Sequence, residues 1–468
     1  MTVAITAPSF GEIHFGEAPL GHKKRVECLV KIADLIRRHP GDTLPHKLAA
    51  AKDYKAMDRL MNRPEVTHGN VLVTHRMRTI ERMRQIPVAL ILHDTTELDY
   101  SGLHSIADLS SIGNGHGRGL LCHNSLAYDP QRHEVLGLAN QILHRRRLVG
   151  KKESVHTKRE RKDRESRLWL QGIGAIEAAP PECQWIHVAD RGSDTFEYMG
   201  DALKNGKLFL SRSCMTRRIE RGHEEVEAKR SKENKVYLHE YVRSLPVQAE
   251  QEFVVRARPG KKERKTKMAV SFAPVRILPP QKKRGDWERR PLPIWVVRVS
   301  EIHPPKGSEP LEWILLTNVP TESAESAWRC VHWYECRWVI EEYHKAMKTG
   351  CGIENLQFAS SQALEPMIAL LSVVATTLLS LREAARRDDA KERKARDFVD
   401  PIYIEVLSAW RHGKAKPNWS VHDFFNALGR LGGSQRNRRL GWLVLWRGWI
   451  DLQHMVAGAV AVGHKVAG

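Results

Sequence analysis

The apolar positions along the chain repeat first with the period of a helix and then with the pattern of buried strands. In residues 22–38 apolar side chains recur every three or four positions, and two more helical segments follow before residue 85. After Pro87 the run VALILH is continuously apolar and ends at Asp94, which predicts a buried strand. The runs GLLCHNSLAYDP and EVLGLANQILHRR, joined by a turn at Asp129-Pro130, predict two more strands. We expect these three strands to form an antiparallel meander.

A second apolar run that ends at an aspartate lies near the middle of the chain and also predicts a strand. The segment QWIHVAD ends at Asp190 and is followed by a predicted helix and by the strand LFLSR. A strand–helix–strand unit of this kind places its two strands parallel. The carboxyl ends of strands are where open α/β sheets carry their chemistry. Asp94 and Asp190 are therefore candidate functional residues.

The periodicity divides the chain into five segments. The first is predicted to be a helical, basic module, and DNA contact and simple packing beneath a solvated basic face are both open interpretations of it. Later, short strand-like runs alternate with prolines and basic clusters, which indicates a β-rich insertion. Helical spacing then returns. The predicted domains are a helical N-terminal DNA-binding domain at 1–85, a first core part at 86–212, a β-rich basic insertion domain at 213–320, a second core part at 321–390 and a helical C-terminal domain for dimerisation at 391–468.

The segment WYECRWVIEEYHKAMKTG, from Trp333 to Gly350, is predicted to be one amphipathic helix. With about 100° of rotation per residue, one stripe is apolar and can be buried. That stripe comprises Val339, Ile340, Tyr343, Ala346 and Met347. The other stripe combines aromatic, cationic and acidic side chains, namely Tyr334, Arg337, Trp338, Glu341, Lys345 and Lys348.

Two interpretations of this second stripe are open. The ordinary one is a solvated face with ion pairs such as that between Arg337 and Glu341. However, Tyr334 and Trp338 share the stripe with the charges, which a solvated face does not need. Aromatic side chains among cations suit stacked bases and phosphates, and a lone carboxylate among them suits a metal ion.

The composition favours a nucleic-acid partner. The chain has 468 residues, enough for several domains, and a formal net charge of +20. This imbalance is unusual for an enzyme of small molecules and indicates a polyanion. A membrane surface is the competing partner, but no apolar run reaches the length of a spanning helix, the best candidate being Leu440–Ile450. The seven cysteines are scattered without a CxxC pair, which is typical of a reduced, cytosolic protein.

Asp94, Asp190 and Glu341 are the candidate catalytic residues. Three converging carboxylates repel one another and are stable together only around cations, for which Mg²⁺ with oxygen ligands is the natural choice. Such a site with two metal ions can carry out in-line phosphoryl transfer. The alternatives are a solvated strand end for each aspartate and an ion pair for Glu341.

Four of the residues named above stand at the spacing Y-x2-R-x3-E-x6-K, namely Tyr334, Arg337, Glu341 and Lys348. In this signature, and in the surrounding segment YECRWVIEEYHKAMKTGCGIE, the chain resembles the bacterial cut-and-paste transposases of the IS-four type, the group that includes the Tn-five transposase. HDTTELDY around Asp94 and VADRGSDTFEY around Asp190 are similar to the two aspartate motifs of that family. PPKGSEPLEWILLTNVP and LGGSQRNRRLGWLVLWRGW extend the resemblance over most of the chain. Residues 213–290 are longer and more basic than the resemblance leads us to expect.

The resemblance implies an α/β fold with an RNase H-like catalytic core, that is, a mixed five-stranded sheet with flanking helices, interrupted by the β-rich insertion. It implies a DDE-type transposase in which Asp94, Asp190 and Glu341 bind two Mg²⁺ ions, for which Mn²⁺ can substitute. The implied reaction begins with hydrolysis at the transposon end. The freed 3′-OH then attacks the opposite strand to form a hairpin, the hairpin is opened, and the 3′-OH is transferred into target DNA.

The resemblance also implies positions that contact DNA. Tyr334, Arg337 and Lys348 match those that hold the phosphates near a flipped base. Trp313 matches the aromatic residue against which that base stacks. Trp338 and Lys345 are further expected DNA contacts.

The implied partners are double-stranded DNA at terminal inverted repeats, target DNA and a second copy of the chain. The implied location is the bacterial cytoplasm, with the nucleoid and not at a membrane. The Trp-rich segment LGWLVLWRGWIDLQHM could bury against the second copy or pack within one chain. Two other functions stay open: a stand-alone RNase H-like DNA nuclease without strand transfer, and a non-catalytic end-binding inhibitor of transposition.

Overall fold

A mixed β-sheet of twelve strands runs through the part of the molecule that the computed structural model describes. The described residues are 8–38, 43–48, 50–113, 115–146, 161, 163–222, 236–255, 264–280, 290–305, 310–435 and 441–462. The strands are β1 (Val88–Asp99), β2 (Ser110–Ile112), β3 (Gly117–Asp129), β4 (Glu134–His144), β5 (Gln184–Ala189), β6 (Leu208–Arg212), β7 (Arg218–Arg221), β8 (Val236–Tyr237), β9 (Ala249–Val255), β10 (Arg264–Ile277), β11 (Leu292–Ile302) and β12 (Glu312–Thr317).

Five of these strands form the core predicted from the apolar runs. They lie in the order β4-β3-β1-β5-β6, with β1, β3 and β4 antiparallel and with β5 parallel to both β1 and β6. The strand β3 is buried along nearly its whole length, as expected for the middle of a covered sheet. The predicted meander and strand–helix–strand unit are therefore both present, and the mixed α/β class is confirmed. The short strand β2, which pairs with the start of β3, was not predicted.

The β-rich segment that interrupts the core continues the same sheet. The strand β12 pairs antiparallel with β6, with Leu316 opposite Ser211, and β11, β10, β7 and β8 follow in order while β9 pairs with β10. This pairing satisfies the open edge that β6 would otherwise present. The predicted domain boundary at 212/213 stays a prediction, but main-chain hydrogen bonds cross it. Of the basic clusters expected in this segment, the one at 282–284 and residues 261–263 of the one at 261–267 lie outside the described residues, whereas residues 264–267 begin β10.

Helices cover the sheet and form both ends of the chain. They are α1 (Phe10–Phe15), α2 (Lys23–Arg38), α3 (Leu44–Leu48), α4 (Ala51–Met61), α5 (His68–Arg84), α6 (Leu168–Gly174), α7 (Phe196–Lys204), α8 (Leu238–Ser244), α9 (Ala324–Glu335), α10 (Trp338–Lys345), α11 (Ser361–Arg386), α12 (Pro401–His412), α13 (Val421–Leu431) and α14 (Trp442–Ala461). The first five agree with the predicted helical module, and Thr67 caps α5 by accepting from the Asn70 amide.

The helix α11 is the central helix of the fold and corrects one expectation from the sequence. No membrane-length apolar run was predicted, yet residues Ser361–Ala385 are long and apolar enough to span a bilayer by length and composition. In the structure 78% of its most apolar window is buried, and it packs against α5 and β4. A helix that is apolar on all sides suits a protein core as well as a bilayer. Here the surrounding elements account for its apolar surface.

The segment predicted as one helix from Trp333 to Gly350 is divided into three parts. The helix α9 ends before Cys336, where the Arg337 amide donates to Tyr334 and the Val339 amide donates to Cys336 in tight three-residue turns. The helix α10 follows, and Ala346–Gly350 then form a π-turn. The prediction of one continuous helix was therefore wrong at two places.

The burial pattern of this segment follows the predicted stripes except at one position. The five residues of the apolar stripe are all buried, as predicted. Tyr334 was placed on the opposite stripe with the charged residues but is only 5% exposed. The turn after α9 gives Tyr334 and the residues of α10 different orientations, which a uniform 100° rotation cannot represent.

The Trp-rich C-terminal segment packs within the chain. Trp446 and Trp449 are buried, and the Trp449 ring stacks on Tyr403 of α12 with centroids 5.3 Å apart. The helices α13 and α14 approach closely at two glycines. A Cβ atom at Gly448 would lie 2.0 Å from the Leu428 carbonyl oxygen, and one at Gly432 would lie 1.9 Å from that of Val444. Of the two interpretations of this segment, the structure therefore favours packing within one chain over burial against a second copy.

Replacing Gly448 with alanine is therefore expected to destabilise the protein by roughly 1–3 kcal/mol, because backbone atoms must move apart to admit the methyl group. Chemical denaturation of the full chain measures the change. At Gly458, on the same helix, a Cβ atom would have no described atom within 4 Å of it. Gly458→Ala is the matched control and should increase stability slightly through helix propensity. Equal effects of the two substitutions would contradict the close helix crossing.

Candidate active site

Asp94 and Asp190 lie where the pairing of the neighbouring parallel strands β1 and β5 ends. Asp190 follows β5, but the expectation that Asp94 ends its strand was wrong, because β1 goes on pairing with β3 as far as Asp99. In the register between β1 and β5, His93 lies opposite Ala189, so the two aspartates are the next pair along the strands. The Asp94 carboxylate accepts a hydrogen bond from the Thr95 amide (2.8 Å). Asp190 follows the last residue of β5 and accepts from the Gly192 amide (2.9 Å). The sheet itself therefore brings together two residues that are distant in the sequence.

The two aspartates open into a cleft of about 460 Å³. Its wall is unusually acidic and also carries one lysine of the predicted stripe. The charged residues that line it are Asp94, Glu97, Glu165, Asp190 and Lys348. Glu341 does not line the cleft in this conformation.

Glu341 is joined to the first aspartate, Asp94, through Arg337. One guanidinium nitrogen of Arg337 lies 2.5 Å from Glu341 Oε1, and another lies 3.5 Å from Asp94 Oδ2. The Arg337 side chain is 12% exposed, so this bridge is largely shielded from water. The Arg337–Glu341 ion pair of the ordinary interpretation therefore exists, and it also reaches the first aspartate. The interpretation as a metal-binding and nucleic-acid-binding stripe stays a prediction.

The electrostatic environment of Asp94 is unfavourable for its charge. Burial, together with the negative charge of Asp190, raises the pKa of Asp94 to about 7. Arg337 opposes this rise, and Glu341 adds to it. A buried carboxylate held near two others, with too little positive charge beside it, favours protonation or the binding of a cation.

The donor set suits a hard divalent ion, since all three candidate ligands are carboxylate oxygens. In the portion of the chain that is described, however, no three His, Cys, Asp or Glu side chains are close enough to hold one ion together. The Arg337 guanidinium occupies the space between Asp94 and Glu341. Metal binding by all three carboxylates therefore requires Arg337 to release at least one of them.

An aromatic group borders the same end of α10. The rings of Trp313 and Tyr334 meet edge to face with centroids 5.3 Å apart. Arg337 lies against the rings of both Tyr334 and Trp338, at 6.0 Å and 5.6 Å from their centroids. Trp338 is 42% exposed, in contrast to the buried Tyr334. The structure therefore brings together Trp313, Tyr334 and Arg337, as the sequence predicted for one binding region.

Comparison with known protein families gives an independent assignment for this region. Residues 181–378 match the family model of the transposase DDE domain. The match supports a DDE transposase and transposase function in general. Transposases of this kind act on DNA and generally use divalent metal ions. The matched segment contains Asp190 and Glu341, whereas Asp94 lies before it and is brought to the site by the pairing of β1 with β5.

The two lysines of the stripe have different surroundings. Lys348 pairs with Glu354 (3.1 Å) and faces the acidic cleft. Lys345 is 55% exposed and pairs with Glu342 (3.0 Å), which also binds the buried Arg382. Their separation follows from the π-turn, which begins at Ala346 and changes the rotation between the two lysines.

Sequence analysis missed two carboxylates of the cleft. Glu97 and Glu165 both pair with Arg146, at 3.2 Å and 2.9 Å. Glu165 lies in a highly charged segment, where nothing in the local pattern distinguishes it from its neighbours. Because Arg146 compensates these two charges, we regard them as supports of the cleft wall.

A buried group of histidines next to the two aspartates was not predicted from the sequence. His93 and His187 are hydrogen-bonded through their rings (2.8 Å), and the His123 ring bonds the Thr95 hydroxyl (2.8 Å). Burial lowers the pKa of His123 and His187 to about 3, so these rings are neutral at physiological pH. They fix the strands that carry the aspartates without adding positive charge. The signal available in the sequence was a single histidine among the apolar residues of each strand, as in VALILHD, GLLCHNS and QWIHVAD.

Proposed function

We propose that this protein is a cut-and-paste DNA transposase similar to the IS-four type, with Asp94, Asp190 and Glu341 as its metal-binding catalytic residues. The observation that carries the proposal is the juxtaposition of Asp94 and Asp190 where the pairing of β1 and β5 ends, with Glu341 joined to Asp94 through Arg337. An ordinary ion pair does not require two further carboxylates from separate strands.

The chemistry proposed for the site is phosphodiester hydrolysis followed by strand transfer. Two Mg²⁺ ions, or Mn²⁺ in their place, would activate the attacking oxygen and stabilise the leaving oxygen. Water attacks the phosphorus at the transposon end, the P–O3′ bond breaks and a 3′-OH is released. That 3′-OH attacks the opposite strand to form a hairpin, and after the hairpin is opened it attacks a target phosphodiester. The first cut and the opening of the hairpin each break one phosphodiester bond and consume one water, whereas each attack by the 3′-OH exchanges one phosphodiester bond for another. No step needs an oxidant or a reductant.

The surroundings of the carboxylates would hold the DNA. Arg337 pairs with Glu341 and Asp94, and Lys348 lines the cleft and pairs with Glu354, so each could exchange a carboxylate partner for a phosphate. Trp313 and Tyr334 would receive a flipped base, and the exposed Trp338 and Lys345 would contact the flanking strand. The net charge of +20 supports attraction to the DNA backbone.

The test is incubation of the purified chain with a duplex that carries the terminal repeat of its own element, with and without Mg²⁺. We expect Mg²⁺-dependent nicking, a hairpin product on a denaturing gel and joined product with target DNA. Nicking without joining would identify a stand-alone nuclease. End binding without any metal-dependent cleavage would identify an inhibitor of transposition.

We propose that the protein acts as a homodimer, because two DNA ends must be held together during transposition. Light scattering of the complex with end DNA should show two protomers.

A further inference from the structure

The C-terminal end of the helix segment that carries Glu341 is held by distant parts of the chain. The last carbonyl groups of a helix lack partners within it and must find them elsewhere. In this segment the Cys351 amide bonds Ala346 (2.8 Å), which closes the π-turn. The carbonyl groups of Thr349, within the turn, and of Cys351 and Ile353, just after it, point away from this segment. Each of the three accepts a hydrogen bond from a side chain of a different region.

The first two of these partners come from the two helical ends of the protein. Lys47 of α3 donates to the Cys351 carbonyl oxygen at 2.5 Å, and the indole N–H of Trp446 in α14 donates to that of Thr349. Lys47 is only 2% exposed. A buried ammonium group is costly unless it is compensated, and the negative end of a helix is a suitable environment for it.

The packing around these bonds leaves little freedom. A Cβ atom at Gly350 would lie 2.4 Å from the Trp446 ring, so the indole rests directly on the π-turn. The third partner, the Tyr100 hydroxyl just beyond β1, donates to the Ile353 carbonyl oxygen at 3.1 Å. The turn is therefore fixed from the N-terminal helices, from the C-terminal helix and from the strand that carries Asp94.

The residue that this arrangement orients is Lys348. It belongs to the π-turn and lines the acidic cleft with Asp94 and Asp190. Its partner Glu354 also accepts a hydrogen bond from the Asp99 amide at the end of β1 (3.0 Å). If the turn relaxed to an ordinary α-helix, the Lys348 side chain would rotate away from its present direction, because a π-turn and an α-turn differ in residues per turn.

We propose that Lys47 and Trp446 are positioning residues that hold the π-turn and thereby direct Lys348 toward the carboxylate cleft. This inference rests on the proposed function for its consequence in DNA cleavage, but the structural part stands without it. Neither residue touches the cleft, and each acts through the main chain of the turn. They connect the N-terminal and C-terminal helices directly to the catalytic segment.

The first test is hydrogen exchange of the free, full-length protein. Lys47→Met keeps an apolar stem of similar length and removes the ammonium group. Trp446→Phe keeps an aromatic ring and removes the N–H donor. We expect both variants to exchange the amides of residues 346–353 faster than the wild type. Unchanged amide exchange of residues 346–353 in a folded variant would overturn the proposal. If Lys47→Met does not fold, Trp446→Phe alone decides the test.

Arg76→Met is the matched control for this exchange test. Arg76 is also a cation of the N-terminal helices that donates to main-chain carbonyl groups of the core, those of Ala139 (3.0 Å) and Ala175 (3.2 Å). Its removal should leave the exchange of residues 346–353 unchanged. Faster exchange at 346–353 in this variant as well would show general loosening and would overturn the assignment of a specific clamp.

The second test is a double-mutant cycle on nicking at saturating end DNA. We expect Lys47→Met to slow nicking about tenfold in the wild-type background. In the Lys348→Ala background it should cause no further loss, because there is no lysine left to direct. Any loss caused by Arg76→Met should be the same in both backgrounds. If the nicking-rate losses of Lys47→Met and Lys348→Ala multiply in the double variant, the two residues act independently, and the positioning role would be overturned. A wild type that does not nick would refute the proposed function and leave the exchange result in force.

Discussion

Replacing Glu341 with glutamine is expected to abolish metal-dependent nicking while leaving end binding nearly unchanged. Glutamine has the same size and can still accept a hydrogen bond from Arg337, which now lies 2.5 Å from the Glu341 carboxylate. It cannot supply the negative charge that a divalent ion requires. Outer partners of metal ligands already contribute roughly 10- to 100-fold, so loss of a ligand should slow nicking by more than about a hundredfold. Rates on an end duplex and gel-shift titrations measure the two quantities.

Glu335→Gln is the control for this substitution. Glu335 ends the preceding helix, and its carboxylate pairs with His332 (3.0 Å) on the surface, away from the aspartates. Its nicking rate should stay within about twofold of the wild type, since exposed pairs of this kind contribute little. Wild-type nicking by Glu341→Gln would remove Glu341 from the metal site. Equal losses in the two variants would indicate a general electrostatic effect on DNA binding.

The parts of the site that the sequence predicted are those set by local patterns. The continuous apolar runs before Asp94 and Asp190 predicted a buried strand leading to each aspartate. They placed Asp190 correctly just after its strand, whereas β1 continues past Asp94 to Asp99 because it goes on pairing with β3. The apolar stripe of the Glu341 segment predicted the buried face correctly for all five of its residues. Convergence of the two aspartates, by contrast, depends on the register between β1 and β5, which no single segment encodes.

The parts that the sequence did not predict depend on distant partners. The division of the Trp333–Gly350 segment includes a π-turn whose carbonyl groups bind Lys47 and Trp446, about three hundred and one hundred residues away in sequence. The burial of Tyr334 depends on Trp313 of β12. The continuation of the core sheet into the insertion depends on the pairing of β6 with β12. In each case the local sequence permits several conformations, and a non-local contact selects one.

Replacing Asp94 with asparagine is expected to have opposite effects on activity and on stability. Nicking should be lost, because the amide cannot serve as an anionic metal ligand. In metal-free buffer at pH 8, however, the variant should be more stable than the wild type by an amount on the order of a few kcal/mol. The reason is that burial and the charge of Asp190 raise the pKa of Asp94 to about 7, so the folded wild type holds an unfavourable carboxylate at pH 8.

The pH dependence of this gain has a defined sign. Below about pH 4 the carboxyl group is protonated in both the folded and the unfolded chain, and it carries no penalty. Between about pH 4 and pH 7 the unfolded chain releases the proton before the folded chain does, so the wild type loses stability as the pH rises. Above pH 7 the loss is complete. The advantage of Asp94→Asn should therefore be full at pH 8, smaller at pH 5.5 and absent near pH 4, as measured by denaturant unfolding in EDTA.

Asp194→Asn separates this effect from the ordinary cost of altering a buried aspartate. The Asp194 carboxylate is fully buried but paired with Arg217 at 2.5 Å, and it accepts main-chain hydrogen bonds from Cys214 and Met215. Its replacement should destabilise the protein at pH 8, because it leaves a buried guanidinium without its partner. Mg²⁺ should stabilise the wild type at pH 8 and have no such effect on Asp94→Asn. A destabilised Asp94→Asn variant would mean that Arg337 already compensates the carboxylate and that the acidic cleft does not need a cation.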